Sequence, residues 1–264
     1  MLNRLTGHTM PGTRITRTAL LLHLLCLPVP GDIAHAQPPK IIEAGKFSSA
    51  SAGDALPAGW QPLTFSGIQR HTAYSLVNEG DTVVIKAASD RSASGLVHAL
   101  SIDPADYPVI QWRWKIDHTL RKGDVTRKSG DDYPARIYIT FAYDPDKAGY
   151  LEQLKQKAAR LVYGKDVPYR AISYIWASNS PAGSMAENPY TARNMMFAVR
   201  GGDAESGQWV MERRNIHEDY RSAFGEEPTM ISGVAIMTDT DNTGESVTAW
   251  YGDIIFMRAP ARQD

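Results

Sequence analysis

Apolar and polar residues alternate in short runs along most of the chain, and turn-forming residues separate these runs. The clearest run lies within residues 109–117, where four apolar side chains alternate with four polar ones: Ile110, Trp112, Trp114 and Ile116 against Gln111, Arg113, Lys115 and Asp117. Successive side chains of a β-strand point to opposite faces, so this run predicts a strand with both tryptophans on a buried face. The polar face is left to meet water or a ligand.

Twelve runs predict strands, and Gly, Pro, Asp and Asn stand between them. Gly80-Asp81 and Gly201-Gly202 mark turns, because glycine accepts the positive φ that tight turns require. Many short strands with turn signals between them are typical of an all-β sandwich or barrel. The predicted strands cover residues 40–43, 61–67, 75–77, 82–87, 95–100, 109–117, 135–143, 171–177, 194–200, 208–212, 233–238 and 246–257.

One segment departs from this rhythm and predicts a single amphipathic α-helix near residues 145–163. Asp144 can cap the helix, Pro145 fits its first position and Gly164 suits a left-handed exit. Apolar residues recur at three-to-four-residue spacing, which predicts one face packed on the sandwich: Tyr150, Leu151, Leu154, Ala158, Leu161 and Val162.

The N-terminus has the successive parts of a secretory signal peptide. Arg14 and Arg17 precede an apolar run over residues 19–27, and Ala34 and Ala36 suit signal peptidase. The run is too short to span a membrane, which takes about 20 residues. We therefore predict a cleaved Sec-type signal over residues 1–36, a lead-in segment over 37–54, one β-sandwich domain over 55–258 and a tail over 259–264. This organisation predicts a periplasmic or secreted protein.

Cysteine content and charge exclude several classes of function. Cys26 is the only cysteine and lies in the predicted signal, so the mature chain has no disulfide. Loss of residues 1–36 removes Arg4, Arg14 and Arg17 against Asp32, which leaves 25 basic and 28 acidic side chains. Nucleic-acid binders show a basic excess or stripe, so we expect no nucleic-acid partner. We also expect no membrane span after cleavage.

The segment 238–244 (Thr-Asp-Thr-Asp-Asn-Thr-Gly) directly follows a predicted buried strand. Its alternating acidic and amide oxygens can bind a hard cation, so Asp239, Asp241 and Asn242 are candidate ligands of a structural calcium ion. Trp250 stands where a helix-loop-helix calcium loop has its bidentate Glu, which excludes that motif. The alternative is an Asx-rich turn whose side chains bond their own backbone.

A second polar group comprises Asp131 and Asp132, followed by Arg136 and Tyr138. Arg136 and Tyr138 share a face of the predicted strand and are candidate ligand-binding residues, because an Arg beside a Tyr can bind a carboxylate and present a ring. The alternative is an internal salt bridge from Asp132 to Arg136.

A third group, residues 213–221, is dense in hydrogen-bonding side chains and has neither a strand nor a helix period. We interpret it as a loop in which Asn215 and Asp219 can bind a ligand. The alternative is a mixed-charge loop that is held by its own ion pairs.

Trp176 alternates with Tyr174 on a predicted strand, and Asn188 follows in a predicted loop. Aromatic faces beside Asn and Asp hold sugar rings, so Trp176 and Asn188 are further candidate ligand-binding residues. Core packing of Trp176 is the competing interpretation.

Six strings are too unusual for generic β-sequence: QWRWK (111–115), GDDYPARIY (130–138), ENPYT (187–191), RNIHEDY (214–220), GVAIMTDTDNTG (233–244) and YGDI (251–254). Together they resemble the bacterial family of unknown function numbered 3047, over about residues 45–257. The resemblance implies an exported bacterial protein with a β-sandwich like that of carbohydrate-binding modules. It implies no established activity.

The working hypothesis is a mainly β, antiparallel jelly-roll sandwich that binds a glycan or another polar ligand without catalysis. A polysaccharide-active lyase or glycoside hydrolase is the first alternative, and no catalytic residue can be assigned from the sequence. A structural or partner-binding protein of the cell envelope is the second.

Overall fold

The computed structural model describes residues 41–146 and 168–258, which belong to one compact unit, Pro38–Asp264. Thirteen strands and one α-helix lie in the described ranges, with 3₁₀ turns at Phe47–Ser49 and Lys128–Gly130. The elements are β1 (Ile41–Gly45), β2 (Trp60–Leu63), β3 (Ala73–Glu79), β4 (Thr82–Asp90), β5 (Ala93–Ile102), β6 (Val109–Ile116), β7 (Arg136–Phe141), β8 (Arg170–Ala177), β9 (Met185–Asn188), β10 (Thr191–Gly201), β11 (Val210–Asn215), α1 (Ile216–Phe224), β12 (Ile231–Asp239) and β13 (Ser246–Met257).

The strands form two sheets that pack face to face. Sheet A has the order β11-β6-β13-β4-β3, and β1 pairs with the C-terminal part of β13. Sheet B has the order β2-β5-β12-β7-β8-β10-β9. The predicted mainly β sandwich is confirmed. One pairing differs from the antiparallel expectation, because β8 and β10 run parallel.

The alternation predicted for residues 109–117 is confirmed in β6. All four of its apolar side chains are buried between the sheets, and the polar side chains between them are only partly buried. The ring of Trp112 stacks on Tyr174 of sheet B with 5.2 Å between centroids, and Trp114 lies 5.9 Å from Trp176. These aromatic contacts join the two sheets across the core.

β7 also has one face in this core. Ile137, Ile139 and Phe141 are fully buried in the cluster between the sheets. Because side chains alternate along a strand, Arg136 and Tyr138 project from the outer face of sheet B. The outer face of β7 therefore carries the polar residues that the sequence marks as candidates.

Two elements were missed by the sequence analysis. β9 includes Asn188, which was expected in a loop, and pairs with β10. Residues 213–221, expected to be a loop, form the end of β11 and most of α1. Asn215 caps the helix by accepting a hydrogen bond from the N–H of Glu218 at 3.2 Å, and Gly225 ends it with φ 70°. The buried helix residues are Ile216, Asp219 and Tyr220. Asp219 thus stands at a position of the buried face where an apolar residue is expected.

Several predictions fall partly or wholly on residues that are not described. The predicted helix near 145–163 is described only at residues 145–146, and the signal 1–36 and the tail 259–264 lie outside the described residues. Part of the predicted lead-in forms β1, and Phe47 of the following turn is buried in the core. None of the helices in the described ranges has the length and hydropathy of a membrane span.

Removal of the Trp112 ring tests the inter-sheet core. We expect Trp112→Ala to lower the free energy of unfolding by about 3–5 kcal/mol, because a large buried ring is replaced by a cavity. Gln111→Ala, on the opposite face of the same strand, should change it by less than about 0.5 kcal/mol. Urea denaturation of the two variants measures both values. Equal losses would contradict the assignment of the two faces.

Candidate functional site

Two of the polar groups found in the sequence meet at one end of sheet B. Antiparallel pairing of β12 with β7 places Met237 opposite Arg136. Asp239 lies two residues beyond Met237 and therefore on the same face as Arg136. The loop that leads into β7 carries Asp131 and Asp132, and the turn after β12 carries Asp241. Strand pairing thus brings side chains more than 100 residues apart to one point.

A buried ion pair lies at the centre of this group. Arg136 Nη2 donates a hydrogen bond to Asp239 Oδ2, and Arg136 Nη1 lies 3.8 Å from Asp131 Oδ1. The Arg136 side chain is 3% exposed. The alternative of a salt bridge from Asp132 to Arg136 is therefore replaced by pairs with Asp239 and Asp131.

Three carboxylates converge beside this ion pair. One oxygen each of Asp132, Asp239 and Asp241 lies within 4.8 Å of the others. Asp132 is 0% exposed, and its Oδ2 accepts a hydrogen bond from the N–H of Thr243 at 2.6 Å. Its Oδ1 has no hydrogen-bond partner, and neither has the buried Thr243 Oγ1. Arg136 Nε is also without a partner. Buried polar atoms are rarely left in this way, so the cluster has unused hydrogen-bonding and ligand capacity.

The electrostatics of the cluster favour a cation. Burial raises the pKa of Asp132 above its ordinary value, and the neighbouring Asp241 raises it further. Burial also raises the pKa of Asp239 strongly, although Arg136 opposes the change. Arg136 pairs with Asp239 and lies near Asp131, whereas neither Asp132 nor Asp241 has an ion-pair partner among the described residues. The raised pKa values mean that the charged forms of these two carboxyl groups lack compensation, and a bound cation would provide it.

An exposed rim lies next to the cluster. Asn188 Nδ2 donates to both carboxylate oxygens of Asp131 at 3.1 and 3.0 Å, and Asn188 Oδ1 accepts from the N–H of Tyr190 at 3.0 Å. Asn242, which follows Asp241, donates from Nδ2 to the Tyr190 hydroxyl at 3.3 Å. The Tyr190 side chain is 54% exposed, and Lys128 Nζ lies 5.0 Å from its ring centroid. The rim therefore offers an aromatic ring beside amide and ammonium groups.

The structure brings together some of the predicted ligand-binding residues. Arg136 and Asn188 both contact Asp131, and the Tyr138 ring centroid lies 5.4 Å from Arg136 Cζ. Among the predicted cation ligands, Asp239 and Asp241 meet. Asn242 belongs to the exposed rim, and Asp132 completes the carboxylate triad in its place.

The remaining predicted residues lie elsewhere. Trp176 is fully buried between the sheets and donates from Nε1 to the carbonyl of Gly202 at 3.0 Å, so its ring is not presented to a ligand. Asn215 is the cap of α1. Asp219 accepts a hydrogen bond from the Tyr174 hydroxyl at 2.7 Å and pairs with Arg214. Trp176 follows the competing core interpretation, and Asn215 and Asp219 serve the structure of α1.

Sequence reasoning missed Tyr190 and the roles of Asp132 and Thr243. Asp132 was recognised as a member of the second polar group but not as a cation ligand, because its neighbours in the triad come from β12 and the turn after it. Tyr190 lies in a string already marked as unusual, ENPYT, and that string was the available signal.

The sequence profile of the family described as "Protein of unknown function (DUF3047)" matches residues 58–255. The chain belongs to this family. No curated protein matches this DUF3047 protein. The resemblance inferred from the six strings is thereby confirmed, and membership brings no activity with it.

Three solved structures match the DUF3047 protein at low similarity. The carbohydrate recognition domain of Emp47p is 11% identical, with a TM-score of 0.33, and the match covers 82% of this chain and 95% of that one. Cellulose induced protein Cip1 is 9% identical, with a TM-score of 0.29 and coverage of 74% and 90%. The glycoside hydrolase domain of Endo-D from Streptococcus pneumoniae is 8% identical, with a TM-score of 0.30, and the match covers 78% of this chain and 22% of that one. Similarity at this level carries no information about ligand or activity.

Separation of the buried ion pair provides a test of the cluster. We expect Arg136→Met to lower the free energy of unfolding by about 3–5 kcal/mol, because Asp239 is left buried without its partner. The double variant Arg136→Met/Asp239→Leu should recover most of this loss, since it removes both charges. Chemical denaturation in a chelating buffer measures the single and double variants. A double variant as unstable as the sum of the two single changes would show that the pair is not coupled.

Proposed function

We propose that this is an exported, non-catalytic binding protein that holds a glycan or similar polar ligand at the rim of sheet B, beside a calcium ion bound by Asp132, Asp239 and Asp241. The convergence of three carboxylates on one point, with the Asp132 Oδ1 and Thr243 Oγ1 atoms unpaired, is the observation that carries the proposal.

The chemistry of the cluster suits calcium. Ca²⁺ binds six to eight oxygens at about 2.3–2.6 Å, so oxygens of one coordination sphere lie no more than about 5 Å apart. The three carboxylate oxygens satisfy this limit at 4.8 Å. Asp132 and Asp239 supply buried charge, and the partly exposed Asp241 leaves the ion accessible from the solvent side. A divalent cation also compensates the charge that Arg136 leaves unbalanced.

The rim suits a sugar. An exposed aromatic ring packs against the apolar C–H face of a pyranose, while amide and charged groups bond its hydroxyls. Tyr190 provides the ring, and Asn242 and Lys128 provide the polar groups within contact of it. Asn242 directly follows the cation ligand Asp241, so a ligand on Tyr190 lies beside the ion.

Catalysis on a polysaccharide is the second candidate, favoured by the raised pKa values of Asp132 and Asp239. A carboxyl group that keeps its proton can act as a general acid. The exposures of 0% for Asp132 and 2% for Asp239 keep a substrate from their carboxyl groups. We therefore propose binding and not turnover.

Melting curves in calcium and in chelator test the cation. Calcium at about 100 times its Kd stabilises by about 2.7 kcal/mol, which for a chain of this size raises Tm by roughly 5–10 °C. Asp132→Asn should abolish this rise. In chelator the variant should melt at the same temperature as the unaltered protein, because the amide oxygen can still accept a hydrogen bond from the N–H of Thr243. Asp81→Asn, in an exposed turn, should retain the rise. Identical curves of the unaltered protein in calcium and in chelator would remove calcium from the proposal.

A glycan array with the calcium-loaded protein tests the ligand. We expect Tyr190→Ala to weaken retention on the bound glycans by about tenfold, as for the loss of one stacked aromatic contact. Phe65→Ala, at another exposed aromatic ring, should have no effect. Reducing-sugar and unsaturated-uronate assays on the same glycans should show no product. Product formation would favour the enzyme, and no retention on any glycan would favour an envelope protein without a small ligand.

A further inference from the structure

Aromatic and cationic side chains alternate across the outer face of sheet A. Strand register places Trp250 of β13 opposite Lys115 of β6 on one side and Lys86 of β4 on the other. Trp209 directly precedes β11, which is the other neighbour of β6. These four residues therefore form a row across the outer face of sheet A, in the order Trp209, Lys115, Trp250 and Lys86. Neighbouring strands lie about 4.8 Å apart, so the two tryptophans are spaced by about twice that distance.

Ring and cation contacts hold this row together. Lys115 Nζ lies 4.3 Å from the centroid of Trp250 and 5.5 Å from that of Trp209. Arg113 Cζ lies 4.7 Å from the Trp209 centroid, which places its planar group against the ring. Cation–π contacts of this kind orient both partners. The rings and the guanidinium are therefore positioned before any ligand arrives.

Gly252 makes room for Arg113. A Cβ atom at position 252 would lie 2.5 Å from both Cγ and Nε of Arg113, closer than non-bonded atoms approach. The absence of a side chain in β13 thus allows the Arg113 stem to cross the strand beside the Trp209 ring. Three strands, β6, β11 and β13, contribute to the placement of one guanidinium.

The charge of this face is positive and largely uncompensated. Lys115 pairs with Glu79. Arg113, Arg213 and Lys86 have no ion-pair partner within residues 41–146 and 168–258. Arg213 is exposed on β11 and lies on the same face as Trp209, four residues further along the chain. The whole chain has a net charge of -1, so this is a cationic surface on an acidic protein. Guanidinium groups with free donors bind carboxylates in a bidentate manner.

We propose that this surface, the tryptophan–arginine face (Lys86, Arg113, Lys115, Trp209, Arg213 and Trp250), binds a uronate-rich anionic polysaccharide. Pyranose rings pack on Trp209 and Trp250, and uronate carboxylates pair with Arg113, Arg213 and Lys86. The proposal goes beyond the rim site, because this surface lies on the outer face of the opposite sheet and uses none of the calcium ligands.

Two features favour a glycan over a lipid surface or a nucleic acid. Met211, at 56% exposure, is the only large apolar side chain that the described strands β6, β11 and β13 expose, whereas insertion into lipid requires a larger apolar area. Nucleic-acid binders carry a basic excess over the whole domain or a long basic stripe, whereas this face has three cations without an ion-pair partner among the described residues, Lys86, Arg113 and Arg213. Half-buried tryptophans beside paired cations match a chain of rings that carry carboxylates.

Calorimetric titration with oligogalacturonate, in chelator, tests the proposal. We expect Arg113→Gln and Lys86→Gln each to weaken binding by about tenfold, as for the loss of one charge-assisted hydrogen bond. Arg70→Gln removes an equal charge at an exposed site outside the face and should leave the Kd unchanged. A neutral oligosaccharide of the same length should not bind. Melting curves confirm that each variant is folded.

The outcomes separate this proposal from the calcium site. Asp132→Asn should bind oligogalacturonate like the unaltered protein, whether or not calcium stabilises the chain. Loss of binding in Asp132→Asn, equal weakening in Arg70→Gln, or no binding by the unaltered protein would each overturn the proposal. Equal affinity for duplex DNA or for vesicles of anionic phospholipid would overturn the assignment to a glycan.

Discussion

The buried ion pair of Arg136 with Asp239 is the constraint on which the candidate site depends. It joins the first residue of β7 to the last residue of β12, at the end of sheet B where β7 begins and β12 ends. A guanidinium in that position has to be surrounded by acceptors, and Asp131 provides a second. The loop before β7 and the turn after β12 are thereby drawn to the same point. Asp132 lies in this loop and Asp241 in this turn, so the cluster holds more carboxyl groups than Arg136 can pair with.

The aromatic contacts between the sheets give this end of sheet B a fixed support. Trp112 and Trp114 of sheet A meet Tyr174 and Trp176 of β8. β8 pairs with β7, so these aromatic contacts also fix the position of the strand that carries Arg136. Sites on such regular strands are positioned more accurately than sites on loops. The inner faces are thus committed to packing. On the outer face of sheet B, a second buried cluster that includes Tyr133, Ile175 and Met196 covers part of the sheet.

Most of the strands could be predicted from the sequence, because alternation is a local property. β6 shows it over its full length and β13 on both sides of an irregularity at Gly252-Asp253, and both strands were located within one residue. α1 was missed because Asp219 occupies one of its buried positions, where its charge is paired with Arg214 and Tyr174. β9 is short, and Asn188 looks like a loop residue until its partner Asp131 is known.

The candidate site could be predicted only in parts. The acidic residues at 131–132 and at 239–241 were both recognised. They lie close together only because β7 pairs with β12, and a local sequence pattern does not predict which strands pair. Trp176 illustrates the reverse error, since a tryptophan on an alternating strand fits the core and a ligand platform equally well. Whether such a ring is buried or exposed depends on what packs against that face of the sheet. Here Trp114 of the opposite sheet covers the ring of Trp176.

The amide of Asn188 has a thermodynamic consequence. One end of it bonds Asp131 in the charged cluster, and the other bonds the backbone of Tyr190 on the exposed rim. Under the proposed function, an ion and a ligand that both act on this amide are linked, and each changes the affinity of the other by the same factor. The affinity of such a protein for its ligand would depend on the calcium concentration around it.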